Sequence, residues 1–315
     1  MQIKKRLLLG AAFVCASFVA QSQSLLGITD SIANATQPPP PLESTWKDTR
    51  LIEAQTTKTA SPGVMVFRVM HRFGSMGSDY GGGVHTLYGF DVVTDVYLSF
   101  EFGILKNLEV GFGRSKQQEL LDLNFKYRPL TQKSVGMPVS VAIYGDAGLT
   151  PEQTALFYQG ADLKNYPEST TDLLSYIGQV MVDRKFGNIG SLEVFAGLHH
   201  RNYVLRVPNV TNNGDKDSNN IAYTGAAGRI RLSKHAAITF DYFYIMSSYR
   251  TNNVATPFYN CFSVGYEIET GGHVFEINLS NGAYINEINM IPNVNQTWTK
   301  DGFKLGFAIS RAFNI

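Results

Sequence analysis

The chain has 315 residues, of which 44% are hydrophobic and 17% charged, and its 27 Lys and Arg are nearly balanced by 26 Asp and Glu. That balance provides no basic face for nucleic acid, so no nucleic-acid partner is expected. The 29 glycines and the 12% aromatic content suit strands that bend and sit at an interface.

The first elements in chain order concern delivery. Lys4, Lys5 and Arg6 precede an uncharged apolar run, Leu7 to Ala20, and Ala20-Gln21-Ser22 offers small residues for cleavage. Residues 1–22 therefore read as a secretory signal peptide. The run falls short of the roughly 20 apolar residues a membrane helix needs. Cys15 lies inside the run and not at its end, which argues against lipid attachment. Removing 1–22 leaves 24 basic and 26 acidic residues, a charge of −2, with Cys261 as the only thiol and no intramolecular disulfide. Residues 23–60 come next as a periplasmic N-terminal segment. Pro38 to Pro41 form a stiff, extended spacer and Thr45 to Thr59 is polar. The segment is expected to be a flexible tail leading to the first strand, with a small plug as the alternative, and in a partner-binding barrel it would be the place where a periplasmic partner is held.

From residue 61 to 315 the chain alternates between apolar and polar or small residues. Twelve strands are expected, at 62–73, 90–103, 108–114, 119–128, 137–147, 172–186, 191–201, 219–232, 236–247, 258–270, 273–281 and 302–313. An even count of such strands, joined by alternating long and short connections, describes an all-β fold, a transmembrane antiparallel up-and-down β-barrel. The long connections (74–89, 148–171, 202–218, 248–257 and 282–301) are assigned to the outside. The tight ones (104–107, 187–190, 233–235 and 271–272) are assigned to the periplasm. Connections 115–118 and 129–136 fit this pattern least well.

Face assignment follows from the period of two. In the second strand Val92, Thr94, Val96, Leu98, Phe100 and Phe102 oppose Asp91, Asp95, Tyr97, Ser99 and Glu101. In the fourth, Leu121, Leu123, Phe125 and Tyr127 oppose Asp122, Asn124, Lys126 and Arg128. In the tenth, Phe262, Val264, Tyr266 and Ile268 oppose Ser263, Gly265, Glu267 and Glu269. The luminal polar set is thus expected to include Asp91, Asp95, Glu101, Asp122, Lys126 and Asp241, together with Glu109, Asp183, Glu193 and Arg229. Strands six to eight break the pattern, because Ile177 and Phe195 fall on the luminal parity.

Three carboxylates, Glu267, Glu269 and Glu276, are expected to meet at the periplasmic mouth, where Arg68, Arg128, Lys185 or Lys304 would balance them. This cluster is either a structural clamp or a gate. Gly271-Gly272 between two strong strands supplies the positive φ of a tight hairpin. Gly81-Gly82-Gly83 precedes a strand and not a helix, so a phosphate loop is not expected. His199 and His200 are adjacent and point to opposite faces, so they cannot chelate one ion. No nucleophile, base and orienting group can be singled out, so the expectation is no catalytic site, no metal and no cofactor.

One stretch is more specific. Gly265-Tyr-Glu-Ile-Glu-Thr-Gly-Gly-His-Val-Phe-Glu-Ile-Asn-Leu-Ser-Asn281 resembles the signature of a Bacteroidota outer-membrane β-barrel family catalogued as a domain of unknown function. Trp46-Lys-Asp-Thr-Arg50, Phe67-Arg-Val-Met-His-Arg-Phe-Gly74, Gly111-Phe-Gly-Arg-Ser115 and Gly306-Phe-Ala-Ile-Ser-Arg-Ala-Phe313 fit it in order. The resemblance spans about 45–315 and implies an exported barrel in a Gram-negative outer membrane. Its partners would be outer-membrane lipids and, through the last strand with Phe313 near its end, the barrel insertion machinery. The function expected is a narrow, porin-like polar conduit or scaffold for small solutes. Alternatives are a ligand- or partner-binding barrel without conductance, an outer-membrane lipid hydrolase, and a soluble exported β-sandwich.

Overall fold

The computed structural model describes residues 41–42, 45–151, 169–204, 217–251, 253 and 257–315. The expected signal peptide and most of the proline spacer lie outside these residues. Twelve strands form one closed antiparallel barrel. They are β1 (Val64–Ser75), β2 (Val93–Leu105), β3 (Leu108–Ser115), β4 (Leu121–Leu130), β5 (Ser140–Leu149) and β6 (Leu174–Phe186), then β7 (Gly190–Arg201), β8 (Asn220–Arg231), β9 (Ala236–Met246), β10 (Cys261–Thr270), β11 (His273–Ser280) and β12 (Lys304–Asn314). Each strand pairs with its chain neighbours, and β1 closes on β12, with Val64 opposite Asn314 and His71 opposite Phe307. Closure leaves no unpaired edge, which removes the sandwich alternative.

The connections divide the barrel into two ends. Four of the five connections at the turn end are short, and Gly271 and Gly272 both have positive φ, as a two-residue hairpin requires. The longer one, 131–139, docks on the barrel: Gln132 accepts from the Lys185 backbone N–H at 2.8 Å. The loop end carries the long connections. No helix among the described residues is long and apolar enough to cross a membrane.

Alternation decides what faces where. Along β4, Leu121, Leu123, Phe125 and Tyr127 are exposed while Asp122, Asn124 and Lys126 are buried. Along β10, Phe262, Tyr266 and Ile268 face out while Ser263 and Glu267 face in. An apolar outside around a polar, buried inside is the arrangement a lipid-facing barrel needs. The apolar residues that break luminal parity have a packing role. Ile177, Met181, Phe195, Tyr223 and Phe243 form an internal cluster with Trp46 and Leu51 of the N-terminal segment and with Ile288 and Met290 of the 281–303 loop. Phe195 and Phe243 ring centroids lie 4.7 Å apart. Gly225, directly opposite Phe195, makes room for that ring, since a Cβ there would sit 2.4 Å from it. This accounts for the weak pattern of strands six to eight.

Asp91 departs from expectation. β2 begins only at Val93, because Leu87, Tyr88 and Gly89 take positive φ and turn the chain just before it. Asp91 is therefore exposed in the loop and not in the lumen.

Val180 on the outer face of β6 is 49% exposed. Val180→Arg should place a charge against acyl chains and lower barrel stability by about 2–4 kcal/mol. Urea unfolding in lipid vesicles measures this, and the same change in aqueous detergent should cost less.

Candidate functional site

The lumen holds two inserts. The first is the N-terminal segment, residues 45–63. It enters at the turn end, where Thr45 donates from its N–H to the Ser191 hydroxyl at 2.9 Å. It reverses at 49–56, where Thr56 N–H bonds the Thr49 carbonyl at 3.0 Å and Leu51 N–H the Ala54 carbonyl at 2.9 Å. It then returns to the start of β1. Of the two alternatives for 23–60, the described part takes the plug. The second insert is the 281–303 loop, which folds in from the loop end. Its short helix Glu287–Met290 is fully buried and is capped by the Asn286 side chain.

Irregular backbone inside a barrel leaves N–H and C=O groups that no ladder satisfies, and each must find a partner. Here the partners are the inward side chains of the wall. Asp241 accepts from the N–H of Glu53 at 2.6 Å and of Ala54 at 3.0 Å. Glu193 accepts from Thr57 N–H at 2.9 Å, and Asp183 from the Thr57 hydroxyl at 2.7 Å. Glu109 accepts from Ala60 N–H at 2.7 Å, and Asp95 from Ile285 N–H at 3.0 Å. Lys126 supplies the opposite polarity and donates to the Thr49 carbonyl at 2.7 Å.

Ion pairs add to these bonds. Arg68 holds Asp48 at 2.6 Å and Glu101 at 2.6 Å, and Arg72 holds Glu53 at 2.7 Å. Burial alone would raise the Asp48 carboxyl, but the Arg68 guanidinium beside it pulls it down to about 2. Burial pushes Glu53 up to about 7 against the pull of Arg72. The two inserts meet at mid-lumen. Arg50 pairs with Glu287 at 3.1 Å, with each side chain 1% exposed, and donates to the Ile285 carbonyl at 2.6 Å. Gln55 also donates to Glu287, at 3.2 Å.

Two cavities flank this contact and share no lining residue. One of about 160 Å³ lies at the loop end beside Arg201, Tyr249 and Ile288. One of about 610 Å³ opens at the turn end beside Trp46, Lys58, Arg231 and Glu269.

The expected carboxylate cluster forms, but its cations differ. Glu267 lies directly opposite Glu276. Glu267 is paired by Arg229 at 2.7 Å and Glu269 by Lys47 at 2.7 Å. Glu276 accepts from the Thr239 hydroxyl at 2.9 Å and from Asn278 at 3.2 Å. Of the four cations named from sequence, Arg68 is committed to Asp48 and Glu101. Lys304 sits at the other end of the barrel, where it donates to Gln296. Arg128 and Lys185 line the turn-end cavity instead. The physical reason is the insert, which brings Lys47 to one acid and occupies Arg68. Asp95, Glu101, Asp122, Lys126 and Asp241 are buried inside as expected. Among the histidines, His199 points inward and is buried. His200 bonds Asn220 at 2.7 Å, and His71 stacks on Phe307 at 5.3 Å.

Residues 46–313 match the family described as "Membrane bound beta barrel domain (DUF5777)". The chain belongs to this family. It is thus a membrane-bound β-barrel, and the resemblance to a β-barrel family catalogued as a domain of unknown function holds. A search among curated proteins finds no match. Among solved structures, the NanC porin shares 9% identity at a TM-score of 0.45, over 80% of this chain and 100% of that one. An outer membrane channel from Pseudomonas putida F1 shares 9% at 0.45, over 82% and 98%. LpxR from Salmonella typhimurium shares 8% at 0.37, over 80% and 100%.

Asp241 satisfies two buried N–H groups of the insert. Asp241→Ala should therefore destabilise the barrel by about 1–3 kcal/mol and expose the 45–60 segment to protease. An unchanged urea midpoint together with unchanged protease resistance would contradict this role.

Proposed function

We propose that the protein is an outer-membrane barrel that works as a gated conduit for small polar solutes and rests in a closed state. The observation that carries this is the mid-lumen contact of Arg50 with Glu287, where an insert from each end meets its counterpart through an ion pair. An insert packed only by apolar surface would be a permanent core. One held by charge-assisted bonds to individual wall residues has discrete partners to release, and alternative partners stand close by. Arg50 lies 5.7 Å from the Tyr97 ring centroid, and Tyr97 in turn donates to Asp122 at 3.0 Å.

Placement in the outer membrane is supported by the apolar outer face, the even strand count and the split between short turns and long loops. On this placement the turn end faces the periplasm. A second reading, a barrel that binds a ligand without conducting, is favoured by the polar cavity at the turn end.

Planar-bilayer recording separates the two. The unmodified protein should be silent for most of the record, and Glu287→Ala should increase the frequency of openings at least tenfold. A variant that folds and remains as silent as its parent would remove the gate and leave the binding reading.

A further inference from the structure

The turn-end cavity is far more basic than its surroundings explain. Its lining includes eight Lys or Arg side chains and one carboxylate, Glu269. In contrast, the mid-lumen above it carries an excess of acid: Arg50, Arg68 and Arg72 are each held by a carboxylate, and Asp95, Asp122, Asp146 and Asp241 are buried there as well. The excess comes from several separate parts of the chain. Arg128, Lys185, Arg229 and Arg231 stand at the turn-end limits of β4, β6 and β8. Lys106 and Lys234 come from the β2–β3 and β8–β9 turns, and Lys47 and Lys58 from the insert.

Internal partners account for only part of this charge. Lys47 is taken by Glu269 and Arg229 by Glu267. Lys58 donates to the Lys47 carbonyl at 2.6 Å, which leaves its charge in place. Among the described residues, Lys106, Lys185, Arg231 and Lys234 form no ion pair with a carboxylate. Like charges converging on one concavity repel each other, and a fold that holds them there has a site whose favourable occupant is negative. A volume of about 610 Å³ suits a small-molecule ligand. The predominantly polar wall disfavours an apolar one, while Arg and Lys together match phosphate and carboxylate oxygens.

We propose that this basin is a binding site for a multiply charged oxyanion of the phosphate class, reached from the turn end. The same chemistry is offered by a free phosphorylated solute and by the headgroup of an anionic phospholipid. The site is independent of whether the lumen conducts, so its test is a binding test. The basin also touches the insert directly through Trp46, Lys47 and Lys58, so its occupant contacts the same segment that carries Arg50.

Trp46 supplies the readout. The chain has two tryptophans, and the other, Trp298, lies in the 281–303 loop, so Trp298→Phe leaves Trp46 as the single reporter. Pyrophosphate added to this full-length protein in detergent at low salt should give a saturable change in fluorescence. The change should weaken as salt is raised. Adding Lys185→Ala and Arg231→Ala should raise the Kd at least tenfold. Lys234→Glu, at an exposed turn, should do so independently should the double variant fail to fold. Lys116→Ala, at the loop end, should leave the Kd unchanged.

A parallel titration uses short-chain phosphatidylglycerol below its micelle concentration. Tighter binding of that probe, displacing pyrophosphate, assigns the basin to lipid headgroups. Binding of pyrophosphate alone assigns it to a free solute. No saturable response to either probe, or the same Kd in the folded basin variants as in the parent, would overturn the proposal.

Discussion

The structure depends on one constraint: every polar backbone group buried inside the barrel has to be paired, because lipid offers no hydrogen bonds and the inserts displace water from the lumen around them. The strands meet it by closing on each other. The 45–63 insert cannot, since its short reversal satisfies few of its own groups. The wall therefore meets the need with side chains. Asp241, Glu193 and Glu109 cap the insert's N–H groups, and Lys126 serves a carbonyl. A buried carboxylate that accepts only wall hydrogen bonds would be costly. One that receives a backbone N–H of the insert is partly compensated, so wall and insert stabilise each other.

This mutual arrangement gives the lumen its layers. At mid-depth Arg50, Arg68 and Arg72 are each held by an acid, further carboxylates accept from N–H and hydroxyl groups, and the apolar cluster around Phe195 and Phe243 fills the space beside them. At the turn end the cations exceed the acids and the interior opens. A densely filled middle and an open, basic mouth are different environments made from the same alternating strands. The difference lies in which residues the insert brings and how far it reaches. Buried ion pairs such as Arg72 with Glu53 add little net stability, because desolvating both partners offsets much of their attraction. Their contribution is to fix where the insert sits.

Much of this was legible in the sequence, for a physical reason. Strand alternation is local and has period two, so all twelve strands, the faces of those outside the sixth to eighth, and the Gly271-Gly272 hairpin could be read directly. The inward positions of Asp95, Glu101, Asp122, Lys126 and Asp241 followed from the same rule. Pairing across the lumen was not legible. It depends on strand tilt and on the insert, neither of which leaves a periodic signal, so Glu267 and Glu269 were matched with the wrong cations. Asp91 was misplaced because two of the three positive-φ residues that end the loop, Leu87 and Tyr88, are not glycine and give no warning. The insert did leave a trace. Trp46, Leu51 and Ile52 are apolar residues in a polar stretch, and the unexplained luminal Ile177 and Phe195 needed something to pack against. Read separately, these anomalies left a flexible tail as the favoured reading of the segment, and only the structure shows that they pack on each other.

Hydrogen exchange of the backbone amides in residues 45–60, in the intact barrel, tests the central claim most directly. The account predicts that Glu53, Ala54, Thr57 and Ala60 exchange slowly, at rates near those of the strands, because wall carboxylates hold their N–H groups. Exchange of these four amides at the rate of an unstructured peptide, with the strands still protected, would contradict it.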